Sequence, residues 1–175
     1  LIQTKYRVSS SAKNTDTKWH WQVGSSNCAL LYGINKVNPS LPLVIVEGLN
    51  DRLACVEAGY TNAVSIPGGA NDLNWIDFNF NILEKCKEII LWFDDDEPGQ
   101  KAIRECVKRL GVYRTKTVQN NSTVKEKIKE FFGTNNIDKV DANNVLAACG
   151  KEYVLNMISN AKMEDNPRVQ HLMDV

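Results

Sequence analysis

The sequence predicts an α/β protein, a parallel-sheet core flanked by helices and preceded by a small β-rich subdomain, on three observations. Short, mostly apolar runs recur at 43–46, 63–66 and 89–93, which suits strands covered on both faces. Stretches with helical spacing of apolar residues separate them, and alternating strands and helices build a parallel sheet with right-handed crossovers. Residues 1–40 read differently, with polar and apolar residues alternating between turn formers.

Taken in order, Lys5-Tyr6-Arg7-Val8 and residues 18–23 alternate as half-buried strands, and Leu30-Leu31-Tyr32-Gly33 ends a third short element. Asn38-Pro39-Ser40 reads as a junction. After the strand at 43–46, Asn50 or Asp51 can cap a helix with apolar positions at Leu53, Ala54, Val56 and Ala58. Gly59 sits where a helix end favours a left-handed residue. The strand at 63–66 stops at Pro67-Gly68-Gly69, and a helix is expected over 73–86. Following the strand at 89–93, Pro98 suits the first turn of a helix. Ala102, Ile103, Cys106, Val107 and Leu110 form the buried stripe of that helix, and Gly111 ends it. A fourth strand is expected at 115–118, then helices at 122–132 and 141–161 with Gly133 and Gly150 as stops. From Met163 onward no pattern is visible and a linker is expected.

The chain has 175 residues, 43% hydrophobic and 24% charged, the balance of an ordinary soluble globular domain. No apolar run nears the ~20 residues needed to cross a bilayer, and no signal peptide is visible. A cytoplasmic setting without a membrane partner is therefore expected. Cys28, Cys55, Cys86, Cys106 and Cys149 are scattered, and His20 and His171 are the only histidines. That spacing argues against a zinc site and against a disulfide framework. Residues 1–40 hold Lys5, Arg7, Lys13, Lys18 and Lys36 against the single acid Asp16, whereas the remainder holds 16 basic and 20 acidic groups. A basic arm beside an acidic core suits a protein that holds a polyanion and also a cation, although a solvated arm explains the charge equally well.

The acids are the informative residues. Parallel sheets carry their functional groups at the carboxyl ends of the strands. Glu47 directly follows the first apolar strand, and Asp94-Asp95-Asp96-Glu97 directly follows the third. If those strands are neighbours and the backbone stays extended, Glu47, Asp94 and Asp96 converge while Asp95 points away. Carboxylates ~4 Å apart repel by roughly 4 kcal/mol per pair at an effective dielectric near 20, so such a cluster must take up protons or bind a cation. Oxygen donors alone suit Mg²⁺ or Mn²⁺, and two such ions can stabilise the attacking and leaving oxygens of a phosphoryl transfer. Each acid taken singly is equally explained as a loop residue or helix cap.

Val44-Ile45-Val46-Glu47-Gly48 with Asp51 resembles the first motif of the Toprim domain. Leu91-Trp92-Phe93-Asp94-Asp95-Asp96-Glu97-Pro98-Gly99-Gln100-Lys101-Ala102 resembles the second, an Asp-x-Asp before a helix, and Ser65-Ile66-Pro67-Gly68-Gly69-Ala70 the glycine-containing loop between them. Val140-Asp141-Ala142-Asn143 is similar to the Asp-Ala-Asn segment downstream of Toprim in phage primase-helicases. Lys5-x-Arg7 and Leu31-Tyr32-Gly33 resemble the polymerase subdomain that precedes it there.

The resemblance implies a DNA primase catalytic core of the phage or prophage type. Such a core makes short RNA primers on single-stranded DNA from ribonucleoside triphosphates, using Mg²⁺ or Mn²⁺, in a bacterial, phage or prophage protein. It implies Glu47, Asp94 and Asp96 as catalytic and metal-binding acids, with Asp141 as a further metal-linked acid. Lys5, Arg7, Lys18, Gly68, Gly69 and Lys101 are the implied contacts to nucleotide or template. Residues 1–40 would be the end of the polymerase subdomain, 41–150 the Toprim catalytic domain with a helical insertion near 119–139, and 151–175 a helix and linker toward a missing replicative helicase domain. No zinc is expected in this fragment. A Toprim nuclease, using the same acids with water, is the alternative, and a non-catalytic module that docks single-stranded DNA or a helicase is another.

Overall fold

The computed structural model describes residues 29–133 and 140–163, together with the backbone of 5–7 and 19–21. Lys5–Arg7 (β1) and Trp19–Trp21 (β2) pair antiparallel with Tyr6 opposite His20. The rest of the expected β-rich subdomain before residue 29 lies outside the described residues. Leu31 is buried, and Tyr32 exchanges both backbone hydrogen bonds with Ser65 at 3.0 and 3.1 Å, which ties the entering chain to the sheet. A short 3₁₀ turn, Ile34–Lys36, follows.

Leu43–Val46 (β3) leads into Leu49–Glu57 (α1), then Ala63–Ser65 (β4), Asn74–Phe78 (α2) and Phe80–Leu83 (α3). Ile89–Trp92 (β5) leads into Glu97–Leu110 (α4) and Thr115–Thr117 (β6). Ser122–Phe132 (α5), Ala142–Cys149 (α6), Lys151–Ser159 (α7) and Lys162–Met163 (β7) complete the described chain. The sheet order is β4-β3-β5-β6-β7, parallel from β4 to β6 with β7 antiparallel at the edge. The expected α/β core with a largely parallel sheet is therefore present.

Every residue of β3, β4 and β5 is buried, so successive side chains supply two cores on opposite faces of the sheet. Leu43, Ile45, Ile89 and Leu91 pack with Trp75, Leu83, Ile103 and Leu110 from α2, α3 and α4. Val44, Val46, Ile90 and Trp92 pack with Cys55, Val124, Val145 and Val154 from α1, α5, α6 and α7. Each fully buried aliphatic side chain contributes roughly 1.5–3 kcal/mol relative to exposure, which explains why these apolar runs specify the strands.

Three local expectations differ from the structure. The helix expected over 73–86 is broken at Asn79, whose side-chain amide donates to the carbonyls of Ala29 (2.8 Å) and Trp75 (2.7 Å) and whose Oδ1 accepts from Leu31 N–H at 3.4 Å. Satisfying three backbone groups, two of them about 50 residues away, outweighs one more turn of helix. Helix α1 begins earlier than expected, with Gly48 rather than Asn50 or Asp51 at the N-cap. Met163, expected in a linker, pairs with Lys116 on the sheet edge, in a two-residue strand too short to show any period.

Candidate metal centre

Adjacent strands β3 and β5 hand the chain to opposite faces of the sheet, β3 to α1 and β5 to α4. Their carboxyl ends therefore part, and such a crevice is where parallel sheets hold ligands. A cavity of about 460 Å³ opens there, lined by Glu47, Gly48, Asp51, Ile66–Gly69, Asp94 and Asp141 among others. Its volume is that of an ordinary small-ligand site.

Three acids gather in this cavity. Oxygens of Asp51, Asp94 and Asp141 all lie within 4.8 Å of one another. The register explains how. Val46 lies opposite Trp92, both facing the α1 side, so alternation turns Phe93 toward α4 and Asp94 back toward α1. Asp51 sits in the first turn of α1, in line with the buried positions Ala54, Cys55 and Ala58. Asp141 is the N-cap of α6, accepting from Asn144 N–H at 2.7 Å.

The Asp51 carboxylate is also a bracket between elements. Its two oxygens accept from the backbone N–H of Gly48 and of Asn143, each at 3.1 Å, so α1 and the start of α6 are joined at this side chain. Burial, then the neighbouring Asp141 charge and to a lesser degree that of Asp94, push the Asp51 carboxyl up from 3.8 to about 7. The two backbone N–H groups pull it partly back. Two glycines permit the close approach. A Cβ on Gly48 would collide with the Asp51 carboxylate, and a Cβ on Gly99 with the backbone carbonyl of Asp94.

The expected site residues fall into distinct places. Asp94 and Asp141 are brought together, and Glu47 lines the same cavity. Asp96, itself in extended backbone, caps α4, accepting from Gly99 N–H at 2.8 Å. Asp95 points away as expected and pairs with Lys125 of α5 at 2.5 Å. Gly68 and Gly69 form part of the cavity wall, whereas Lys101 is exposed on α4 and does not line it. Lys18 and the side chains of Lys5 and Arg7 lie outside the described residues. Asp51 enters the sequence reading only as a motif member and helix cap; the signal for its role is a charged residue in line with the apolar stripe of α1.

The residues present fit a divalent cation. All three donors of the cluster are carboxylates, the hard oxygen ligands that Mg²⁺ and Mn²⁺ prefer. The Asp51 carboxyl is raised first by burial and then by the charges of Asp141 and Asp94, and a bound cation would offset both. Among the described residues no helix is long and apolar enough to cross a membrane.

Residues 42–119 match the family model described as the Toprim domain. The chain is 32% identical over 149 residues to the Primase homolog protein of Arabidopsis thaliana, which covers 76% of this chain and 41% of that protein. It is also 32% identical over 178 residues to the Twinkle homolog protein, chloroplastic/mitochondrial, of the same plant, covering 93% of this chain and 22% of that protein. The chain thus spans less than half the length of either relative. Among solved structures, the primase fragment of the bacteriophage T7 primase-helicase protein superposes with a TM-score of 0.67 at 20% identity, covering 90% of this chain and 56% of that one.

Proposed function

We propose that this chain, a Toprim-domain, primase-like fragment, is the nucleotidyl-transferring core of a DNA primase that makes short RNA primers on single-stranded DNA. The observation that carries the reading is the gathering of Asp51, Asp94 and Asp141 in a cavity at the parting ends of β3 and β5, with Glu47 on its wall. The Toprim match over residues 42–119 and the two plant relatives support the same reading.

The reaction is attack by the 3′-hydroxyl of one ribonucleotide on the α-phosphate of the next, with pyrophosphate leaving. Asp51, Asp94 and Asp141 would hold Mg²⁺ or Mn²⁺, with Glu47 and Asp96 available to a second ion; such ions supply neutralisation of the charge that develops on the phosphate oxygens. The rest is positioning by the chain itself. Gly68 and Gly69 leave a side-chain-free wall on which a triphosphate can approach the acids. The Asp51 bracket holds the start of α6 against α1, which fixes Asp141 beside Asp51. Lys5, Arg7, Lys18 and Lys101 are the proposed contacts to nucleotide phosphates and template. We place the chain with the helicase-linked, phage-type primases, the pattern suggested by the T7 fragment and the Twinkle homolog, with a replicative helicase domain as its partner.

The competing reading is a Toprim nuclease. One gel separates the two. The chain is incubated with single-stranded DNA, labelled ribonucleotides and Mn²⁺, beside Glu47→Gln and Asp94→Asn. Short RNA that disappears in both variants supports primer synthesis. Template shortened by the wild type and spared by the variants would replace it with the nuclease.

A further inference from the structure

We infer that the segment from Asn120 through α5 is a clamp that sets the spacing of the acid cluster, acting through the side chains of Asn120 and Lys125. This rests on the metal-site reading above and names two positioning residues for it; neither lines the acidic cavity.

The clamp takes hold next to two of the three acids. Lys125 Nζ lies 2.5 Å from Asp95 Oδ2, and Asp95 is the immediate neighbour of Asp94. Asn120 Nδ2 donates to the backbone carbonyl of Val140 at 3.3 Å, and Val140 immediately precedes Asp141. One short segment therefore grips the β5–α4 turn with one side chain and the entry to α6 with another.

That segment is itself held by packing rather than by the site. Asn121 caps α5, accepting from Val124 N–H at 2.9 Å. Val124 and Ile128 are fully buried in the core that also contains Val140, Ala142 and Val145. Lys125 follows directly on Val124, so the register of the buried stripe decides where its ammonium points. Carboxylates this close push one another apart, and grips on the neighbours of Asp94 and Asp141 oppose that movement. Lys125 also neutralises Asp95, an acid of the turn that stands outside the cluster.

A charge effect and a positioning effect can be separated, because two informative changes leave the net charge alone. The double variant Lys125→Met/Asp95→Asn removes one positive and one negative group together, and Asn120→Ala removes none. The measurement is Mn²⁺ affinity of the whole chain, read from the free Mn²⁺ signal by electron paramagnetic resonance, with a thermal melt in EDTA beside it.

Both variants are expected to bind Mn²⁺ about two- to fivefold more weakly, the size of a part-exposed ion pair or one hydrogen bond, while Lys125→Arg keeps the wild-type affinity. The melt checks that each variant is folded. Wild-type affinity in both charge-neutral variants would overturn the clamp while leaving the metal site standing. A wild-type chain that takes up no Mn²⁺ would overturn the metal reading, and the clamp with it.

Discussion

Replacing Asp51 by Asn separates the electrostatic load of the cluster from its hydrogen bonding. The carboxyl is buried and pushed up from 3.8 to about 7, mostly by desolvation and then by Asp141. The sign follows from proton linkage. Between those two values the unfolded chain has lost the proton and the folded chain keeps it, so stability falls as pH rises through this window and levels off above about 7. A shift of about three units corresponds to roughly 4 kcal/mol of lost stability at alkaline pH. Asparagine has no such slope. It has one carbonyl oxygen for the two N–H donors of Gly48 and Asn143, and the unmet donor costs about 1–3 kcal/mol at every pH.

The two contributions therefore cross. In EDTA at pH 8, Asp51→Asn is expected to be more stable than the wild type by roughly 1–3 kcal/mol, and at pH 4.5, where the wild type has lost only about 1 kcal/mol, less stable by up to about 2 kcal/mol. Urea unfolding of both proteins at each pH measures the difference directly, and titrating groups remote from the cluster cancel in the comparison. Adding Mg²⁺ at pH 8 should stabilise the wild type and not the variant, because binding to the acids releases the proton and offsets their repulsion. A variant less stable by the same amount at both pH values would refute the reasoning, because Asp51 would then be a hydrogen-bonding residue and nothing more.

Other expectations concern the scaffold. Gly99→Ala places a Cβ against the Asp94 carbonyl, so it should lower the melting temperature by several degrees and weaken Mn²⁺ uptake, both readable in one pair of titrations. Asn79→Leu leaves the backbone groups of Ala29 and Leu31 without this partner, while the Trp75 carbonyl keeps the N–H of residue 79, and should cost about 2–4 kcal/mol in urea unfolding. The Cys55 and Cys106 thiols are pushed up to about 12 by burial, so a thiol reagent at pH 8 should label them slowly in the folded chain and quickly in urea.

Strands β3, β4 and β5 were legible because each is a short, largely apolar run buried on both faces, and nothing in the sequence competes with that signal. The acids after β3 and β5 were legible for the same reason, since a strand end fixes where the next side chain falls. Asp96 was read from its place after β5, and the structure adds a bond that this spacing alone does not reveal: it caps α4 by accepting from the Gly99 N–H. Asp51 and its bond to Asn143 span 92 residues, a contact that no local pattern encodes. The break at Asn79 escaped for a related reason: its partners at Ala29 and Leu31 are remote in sequence.

Label transfer tests the central claim most directly. The chain is incubated with single-stranded DNA and Mn²⁺ in parallel reactions carrying ribonucleotides labelled at the α- or the γ-phosphate. The account predicts that α-label enters the interior of short RNA while γ-label is released as pyrophosphate except at the 5′ end, and that Asp94→Asn abolishes both. Release of cut DNA with no α-label incorporated would contradict it.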